Sequence, residues 1–268
     1  MAVAGLPMYD LPEIAGATDA WWRGLARAFR REGIAEVPNR LTRGEDLFRH
    51  WSSPDLLFSQ TCGYPLIHAL AGRVALVATP CYRAEGCAGP EYRSVVVVRA
   101  DSAVTEPAQL RGGTCAVNSR DSQSGYNALR ALVAPLSRGG RFFGRVVMSG
   151  GHRESLALVA AGEADVAAID CVTHALLARH APTALAGTRV LCHSAAAPGL
   201  PYVTAAGADV TLLRRLRAGL RRAFDDPGLA AVRDDLLLAG MEVLPLAAYG
   251  RIAELEAAAG VLGYAELA

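Results

Sequence analysis

The segment Asn118-Ser119-Arg120-Asp121-Ser122-Gln123-Ser124-Gly125-Tyr126 follows a β-branched run ending at Val117 and leads into an amphipathic helical pattern that begins near Tyr126. Hydroxyls at Ser122 and Ser124, set among the backbone N–H groups of a helix start and facing the positive end of the helix dipole, form an oxyanion seat. Such a seat can hold a phosphate, a phosphonate or a carboxylate without any Lys or Arg. The competing role for either serine is a plain N-cap. Two other strand-to-helix junctions carry the same kind of signal. At Thr61-Cys62-Gly63-Tyr64-Pro65, Thr61 can supply oxyanion donors, with Ser59 as a less certain companion. At Gly150-Gly151-His152, a histidine stands at the start of a third helix. Tyr9 and Tyr64 follow strand ends, where a phenol can stack on an organic substituent and donate a hydrogen bond, or can pack in the core. Asp170 ends a strand; it can accept from a ligand amine or a protonated phosphonate oxygen, or cap the helix that opens at Val172. Arg83, Arg120 and Arg153 are expected at the surface.

These residues need a scaffold, and the composition supplies one. The chain has 268 residues, 52% of them hydrophobic, and a net charge of +1. That is enough apolar material for one large or two modest domains. The balanced charge excludes general attraction to nucleic acid or acidic membranes. All 27 basic residues are Arg, which excludes Schiff-base chemistry by a lysine of this chain. The six cysteines form no C-x-x-C pair, so a metal site is not expected. Cys81 and Cys87 are the only two close in sequence, and free thiols are the expectation. The apolar runs are too short to span a bilayer. Residues 1–10 show no basic, apolar and cleavage regions of a leader, which points to the cytoplasm for the chain as written and to the periplasm if it is a mature or truncated form.

The elements alternate. Strands are expected at 1–7, 55–59, 74–79, 92–99, 114–117, 145–148, 166–169 and 189–192, and helices at 20–31, 66–71, 126–136, 152–161, 172–180, 210–224 and 229–239. The segment 80–90 reads as a loop. Such β-α alternation predicts mainly parallel sheets flanked by helices. Breaks at 74–99 and 190–203 suggest two crossings between two lobes, 1–85 with 200–268 and 86–199, with a ligand cleft where the strand ends face each other.

Further along, Ser149-Gly150-Gly151-His152-Arg153-Glu154-Ser155-Leu156, followed by Gly162-Glu163-Ala164-Asp165-Val166-Ala167-Ala168-Ile169-Asp170, resembles the phosphate, phosphite and phosphonate binding proteins of ABC transporters. Ser122-x-Ser124-Gly125 is similar to that family's ligand turn, and Ala197-Pro198-Gly199-Leu200-Pro201 to its second lobe crossing. The likeness runs from Leu6 to about Leu238, with four motifs in the family's order. It implies a two-lobed type II periplasmic-binding fold, ligand contacts from Ser122, Ser124, Gly125 and His152, no cofactor and no chemistry on the ligand. The partners it implies are a small oxyanion and either a transporter permease or a signalling protein, with a monomer expected. The missing leader and the Cys81/Cys87 loop depart from the pattern. The alternative is an enzyme of cofactor biosynthesis on the same fold, with Cys62 or Cys115 and His152 as a nucleophile pair.

Overall fold

The computed structural model describes residues 1–44 and 46–268. In chain order the strands are β1 (Val3–Gly5), β2 (Leu56–Gln60), β3 (Val74–Tyr82), β4 (Glu91–Tyr92), β5 (Ser94–Arg99), β6 (Thr114–Val117), β7 (Arg145–Met148), β8 (Val166–Asp170), β9 (Thr188–His193), β10 (Ala197–Pro198), β11 (Tyr202–Ala205) and β12 (Leu238–Glu242). The α-helices are α1 (Ala15–Arg31), α2 (Leu47–Trp51), α3 (Gly63–Ile67), α4 (Ala128–Val133), α5 (His152–Ala160), α6 (Cys171–His180), α7 (Val210–Asp225), α8 (Ala230–Asp235) and α9 (Gly250–Val261). They build two compact units: Met1–Arg83 with Gly199–Ala248, and Ala84–Pro198 with Tyr249–Ala268.

The first unit is built on a five-stranded sheet in the order β1-β2-β11-β3-β12. Its helix α1 is amphipathic, burying Trp21, Trp22, Leu25 and Phe29. Phe58 of β2 lies between Phe29, 5.2 Å away, and Tyr202, 4.8 Å away, by ring centroids. Tilted rings at such separations add to the gain from apolar burial itself. Helix α7 rides close on α1 because Gly219 has no side chain; a Cβ there would meet Phe29 Cδ1 at 2.6 Å.

The second unit has a five-stranded sheet in the order β7-β6-β8-β5-β9 and a two-stranded β4-β10 pair. Val96 and Val98 of β5, Cys115 and Val117 of β6, Leu129 and Val133 of α4, and Phe142 form its core, joined by Tyr264 and Leu267 from the last residues of the chain.

The ladders correct the mainly parallel expectation. In the first sheet only β1–β2 is parallel; β11 runs antiparallel to β2 and β3, and β12 antiparallel to β3. In the second, β6–β7 and β6–β8 are parallel, while β5 is antiparallel to β8 and β9. The sheets are therefore mixed. Strands joined by a helix within one unit keep the parallel sense, whereas β5, β9 and β11, next to the points where the chain passes from one unit to the other, lie antiparallel to their neighbours. The local alternation of strand and helix carries no information about that reversal.

The expected helix at 229–239 stops at Asp235, and residues 238–242 form β12, which pairs with β3. The expected loop at 80–90 begins later, because β3 continues through Tyr82.

The expectation placed 200–268 in the first unit, but Tyr249–Ala268 belongs to the second. The physical reason is specific. Arg130 of α4, nearly fully buried, pairs with Glu256 of α9 at 3.2 Å and donates to Ala265 O at 2.6 Å and Asn127 Oδ1 at 2.6 Å. Phe142 N and Phe143 N donate to Ala268 O at 2.6 and 2.8 Å.

Candidate functional site

Strands β6, β7 and β8 are parallel, so their carboxyl ends lie along one edge of the second sheet. The segments that leave these ends, from Asn118, from Ser149 and from Asp170, are three of the candidate segments of the sequence; the fourth, from Thr61, follows β2 of the first sheet. Open α/β sheets place their ligands at this edge, beyond the carboxyl ends of the strands.

After β6 the chain does not start a regular α-helix. A five-residue π-helical turn, Gln123–Asn127, precedes α4, with Ser122 as its N-cap. Gly125 N donates to Ser122 Oγ at 2.9 Å, so Ser122 performs the capping role. Ser124 has other partners. Its Oγ lies 2.9 Å from His152 Nε2 and 3.4 Å from Ser122 Oγ. Its carbonyl accepts from Ser94 Oγ at 2.9 Å. Ser122 and Ser124 are both buried. A wide π-helical turn is a common device at functional positions.

Gly125 is required by close approach. A Cβ there would sit 1.8 Å from Asn118 Oδ1 and 3.4 Å from His152 Cε1. Asn118 Oδ1 is buried with no hydrogen-bond partner among the described residues.

After β7, Ser149 N and Oγ donate to Val117 O at 2.8 and 3.2 Å, and Gly150 N to Asn118 O at 3.1 Å. Gly150 takes a left-handed conformation, φ 90°, and Gly151 caps α5. This turn brings His152, the first residue of α5, to Ser124. Burial pushes the His152 imidazole down to about 4, so the ring is neutral at neutral pH. Its Nδ1 is buried with no partner among the described residues. His152 thus enters as a neutral hydrogen-bonding group.

Asp170, at the end of β8, is buried and spends Oδ1 on the start of α6, accepting from Val172 N at 2.8 Å and Thr173 N at 3.1 Å. In the ladder it stands opposite Ser94, whose hydroxyl holds the Ser124 carbonyl. Arg120 pairs with Glu266 at 3.3 Å, and both side chains are exposed.

In the first unit, Tyr9 is buried and meets Tyr82 edge-on, with ring centroids 5.1 Å apart. Gln60 Nε2 donates to Tyr82 Oη at 3.1 Å and to Leu200 O at 3.0 Å. Tyr9, Trp21, Gln60, Tyr82 and Tyr202 line a cavity of about 30 Å³. Thr61 is fully buried; its N donates to Pro201 O at 3.1 Å and its hydroxyl to Cys62 O at 3.4 Å. Tyr64 is half-buried and packs on His68, with ring centroids 4.3 Å apart. Ser59, with its hydroxyl 3.2 Å from His50 Nε2, is wholly buried. Arg83 pairs with Asp234 at 3.3 Å on an exposed surface.

Sequence reasoning did not single out Asn118, Ser94, Gln60 or Tyr82. Asn118 was already inside the quoted segment, and its place directly after a strand was the available signal. Ser94 and Gln60 are polar residues at the ends of apolar runs. Tyr82 was hidden by the expected loop. Cys115, considered as a nucleophile, is fully buried within β6, and burial pushes its thiol up to about 12. Among the described residues no cluster of three or more His, Cys, Asp or Glu is placed to hold a metal, and no helix is long and apolar enough to cross a membrane.

Comparison with known proteins bears on this geometry. Residues 6–247 match the family model described as ABC transporter, phosphonate, periplasmic substrate-binding protein. No curated protein matches the chain. Among solved structures, a binding-protein component of an ABC phosphonate transporter from Pseudomonas aeruginosa aligns with a TM-score of 0.77 and 17% identity, covering 98% of this chain and 87% of that one. PhnD1 from Prochlorococcus marinus, in complex with methylphosphonate, aligns with a TM-score of 0.76 and 14% identity over 98% of both chains. XAC2383 from Xanthomonas citri, bound to ATP, gives 0.71 and 19% over 98% of both. The fold is that of type II periplasmic binding proteins, and the chain belongs to the periplasmic phosphonate-binding family of ABC-transporter substrate-binding proteins.

Proposed function

We propose that Ser122, Ser124, Gly125 and His152 seat a small tetrahedral oxyanion of the phosphonate, phosphite or phosphate class, which the protein delivers to a transporter permease as a periplasmic monomer. The observation that carries this reading is the Ser124–His152 pair at the edge where three parallel strands end. Two hydroxyls, an imidazole and the N–H groups of a helical start are concentrated there. Such donors bind an anion by hydrogen bonds, each strengthened by the ligand's charge. The family supports the solute-binding role, and the methylphosphonate named in the Prochlorococcus complex supports the ligand class. The reading also takes Tyr9, Thr61 and Tyr64 of the first unit, and Asp170, as ligand residues. An enzymatic role is less well supported, because the family is one of transport substrate-binding proteins and Cys115, one of the two nucleophile candidates, is fully buried within β6.

Calorimetric titration with phosphate, phosphite, methylphosphonate, aminoethylphosphonate, sulfonates and small carboxylates tests the reading. A phosphorus oxyanion is expected to bind and to be recovered chemically intact. Binding of a neutral aromatic compound or an amino acid, with none of the oxyanions bound, would overturn it.

A further inference from the structure

None of the six cysteines is in a disulfide, and Cys87 and Cys171 meet. Cys87 Sγ lies 3.5 Å from Cys171 Sγ, a contact between residues 84 apart in the chain, both within the second unit. Several local features produce it. Cys87 closes a turn in which its N donates to Ala84 O at 3.0 Å, and the next residue, Ala88, bridges to Glu91. Gly86 takes φ 95°, and a Cβ at that position would stand 3.2 Å from Cys171 Cβ and 3.4 Å from its Sγ. The turn therefore rides directly on Cys171, and Gly86 permits it. Cys171 is fixed from its own side: it is the first residue of α6, it is buried, and its N donates to Arg93 O at 3.2 Å. Both backbones are thus held where the two sulfurs face each other.

We propose that Cys87 and Cys171 are a disulfide-forming pair, oxidised by thiol–disulfide exchange with a protein or small-molecule disulfide. The 3.5 Å contact must shorten to a bond of about 2.05 Å. Cys87, the more exposed of the two, is the residue that meets the oxidant. Its thiolate attacks one sulfur of the incoming disulfide and expels a thiolate. That thiolate takes up the proton Cys87 lost on ionising; Cys171 Sγ then attacks Cys87 Sγ in the mixed disulfide, expelling the second thiolate, which takes the Cys171 proton. Two protein thiols are oxidised by two electrons, and one external disulfide becomes two thiols. The hydrogen bond to Cys87, burial and the charge of Asp170 all hold the Cys171 thiol above its usual range, which keeps Cys171 from reacting first.

The bridge would fix the turn that opens the second unit to the start of α6, next to the cap residue Asp170. Closing a long loop raises stability by restricting the unfolded chain, and the oxidising compartment implied by the family favours the bond. The inference stands apart from the ligand reading, since neither sulfur is taken as a ligand contact.

The test is to incubate the purified protein with oxidised glutathione, block the remaining thiols, and map peptides by mass spectrometry with thermal melting in parallel. A Cys87–Cys171 cross-linked peptide is expected, with a melting temperature raised by several degrees and restored by dithiothreitol. Cys87→Ser should abolish both effects, and Cys81→Ser should keep them. No cross-link under oxidising conditions, a link between Cys81 and Cys87 instead, or the same rise in melting temperature in Cys87→Ser would each overturn the proposal.

Discussion

Ser124 Oγ and His152 Nε2 lie 2.9 Å apart and join the start of one helical run to the start of another. Because the ring is neutral and its Nδ1 is buried without a partner among the described residues, the pair makes the folded state sensitive to acid.

The first prediction follows from that ring. Burial lowers the His152 pKa from 6.5 to about 4 in the folded protein. Between these values the unfolded chain holds a proton on this residue and the folded chain does not, so stability rises with pH across the window and falls as pH drops through it. At pH 5 the cost is about 2 kcal/mol relative to pH 7. His152→Gln keeps a hydrogen-bonding group but cannot titrate. Denaturant unfolding at the two pH values should show the wild type losing about 2 kcal/mol more than the variant. Equal losses would show that His152 is not the titrating group.

Ser122 and Ser124, both taken as ligand contacts, should differ in what they do for stability. Ser122 Oγ accepts from Gly125 N, so Ser122→Ala removes a cap and costs about 1 kcal/mol of stability. Ser124→Ala leaves that cap in place; its effect should appear in ligand affinity, as a loss of roughly tenfold to a hundredfold for one hydrogen bond to a charged acceptor. Melting curves and calorimetric titrations of the two single variants check this. A Ser124→Ala protein that binds methylphosphonate as tightly as the wild type would move the seat elsewhere.

Gly125→Ala places a methyl group 1.8 Å from Asn118 Oδ1. Both groups are buried, so the turn must shift, at a cost of about 1–3 kcal/mol. The double variant Gly125→Ala/Asn118→Ala removes the obstructing atom and should recover part of the loss. A single variant as stable as the wild type would show that the close approach is unimportant.

Much of the second unit could be read from its sequence, because β6, β7 and β8 with their following helices are local units, each with its own period and its own cap. Ser122 and Asp170 obey ordinary capping chemistry, and for that reason sequence alone could not separate cap from ligand contact. What stayed hidden was non-local. Strand sense depends on where the chain re-enters a sheet. The short apolar stretch Leu236-Leu237-Leu238 continues a helical pattern, yet Leu237 takes φ 56° and the chain turns into β12. The Ala-rich α9 gives no clear signal of which core it covers. Cys87 and Cys171 are distant in sequence, and no spacing rule pairs them.

The last prediction concerns α9. Arg130 is nearly fully buried and spends two donors on Ala265 O and Asn127 Oδ1, while Glu256, partly exposed, supplies the opposing carboxylate at 3.2 Å. Glu256→Ala leaves the guanidinium buried with its charge less well balanced; the exposure of Glu256 reduces the cost below that of a fully buried pair, to about 1–3 kcal/mol. Replacing both partners by apolar residues, Arg130→Met with Glu256→Leu, should recover part of that loss, because no buried charge then remains. A chain ending at Ala248 goes further, since it also removes Ala259, Tyr264 and Leu267 from the core around Val96, Val117 and Leu129. Hydrogen exchange of the shortened chain should show lost protection in β5, β6 and β8, with protection retained in β2, β3 and β11. Protection lost from β2, β3 and β11 and kept in β5, β6 and β8 would assign the last residues to the other core.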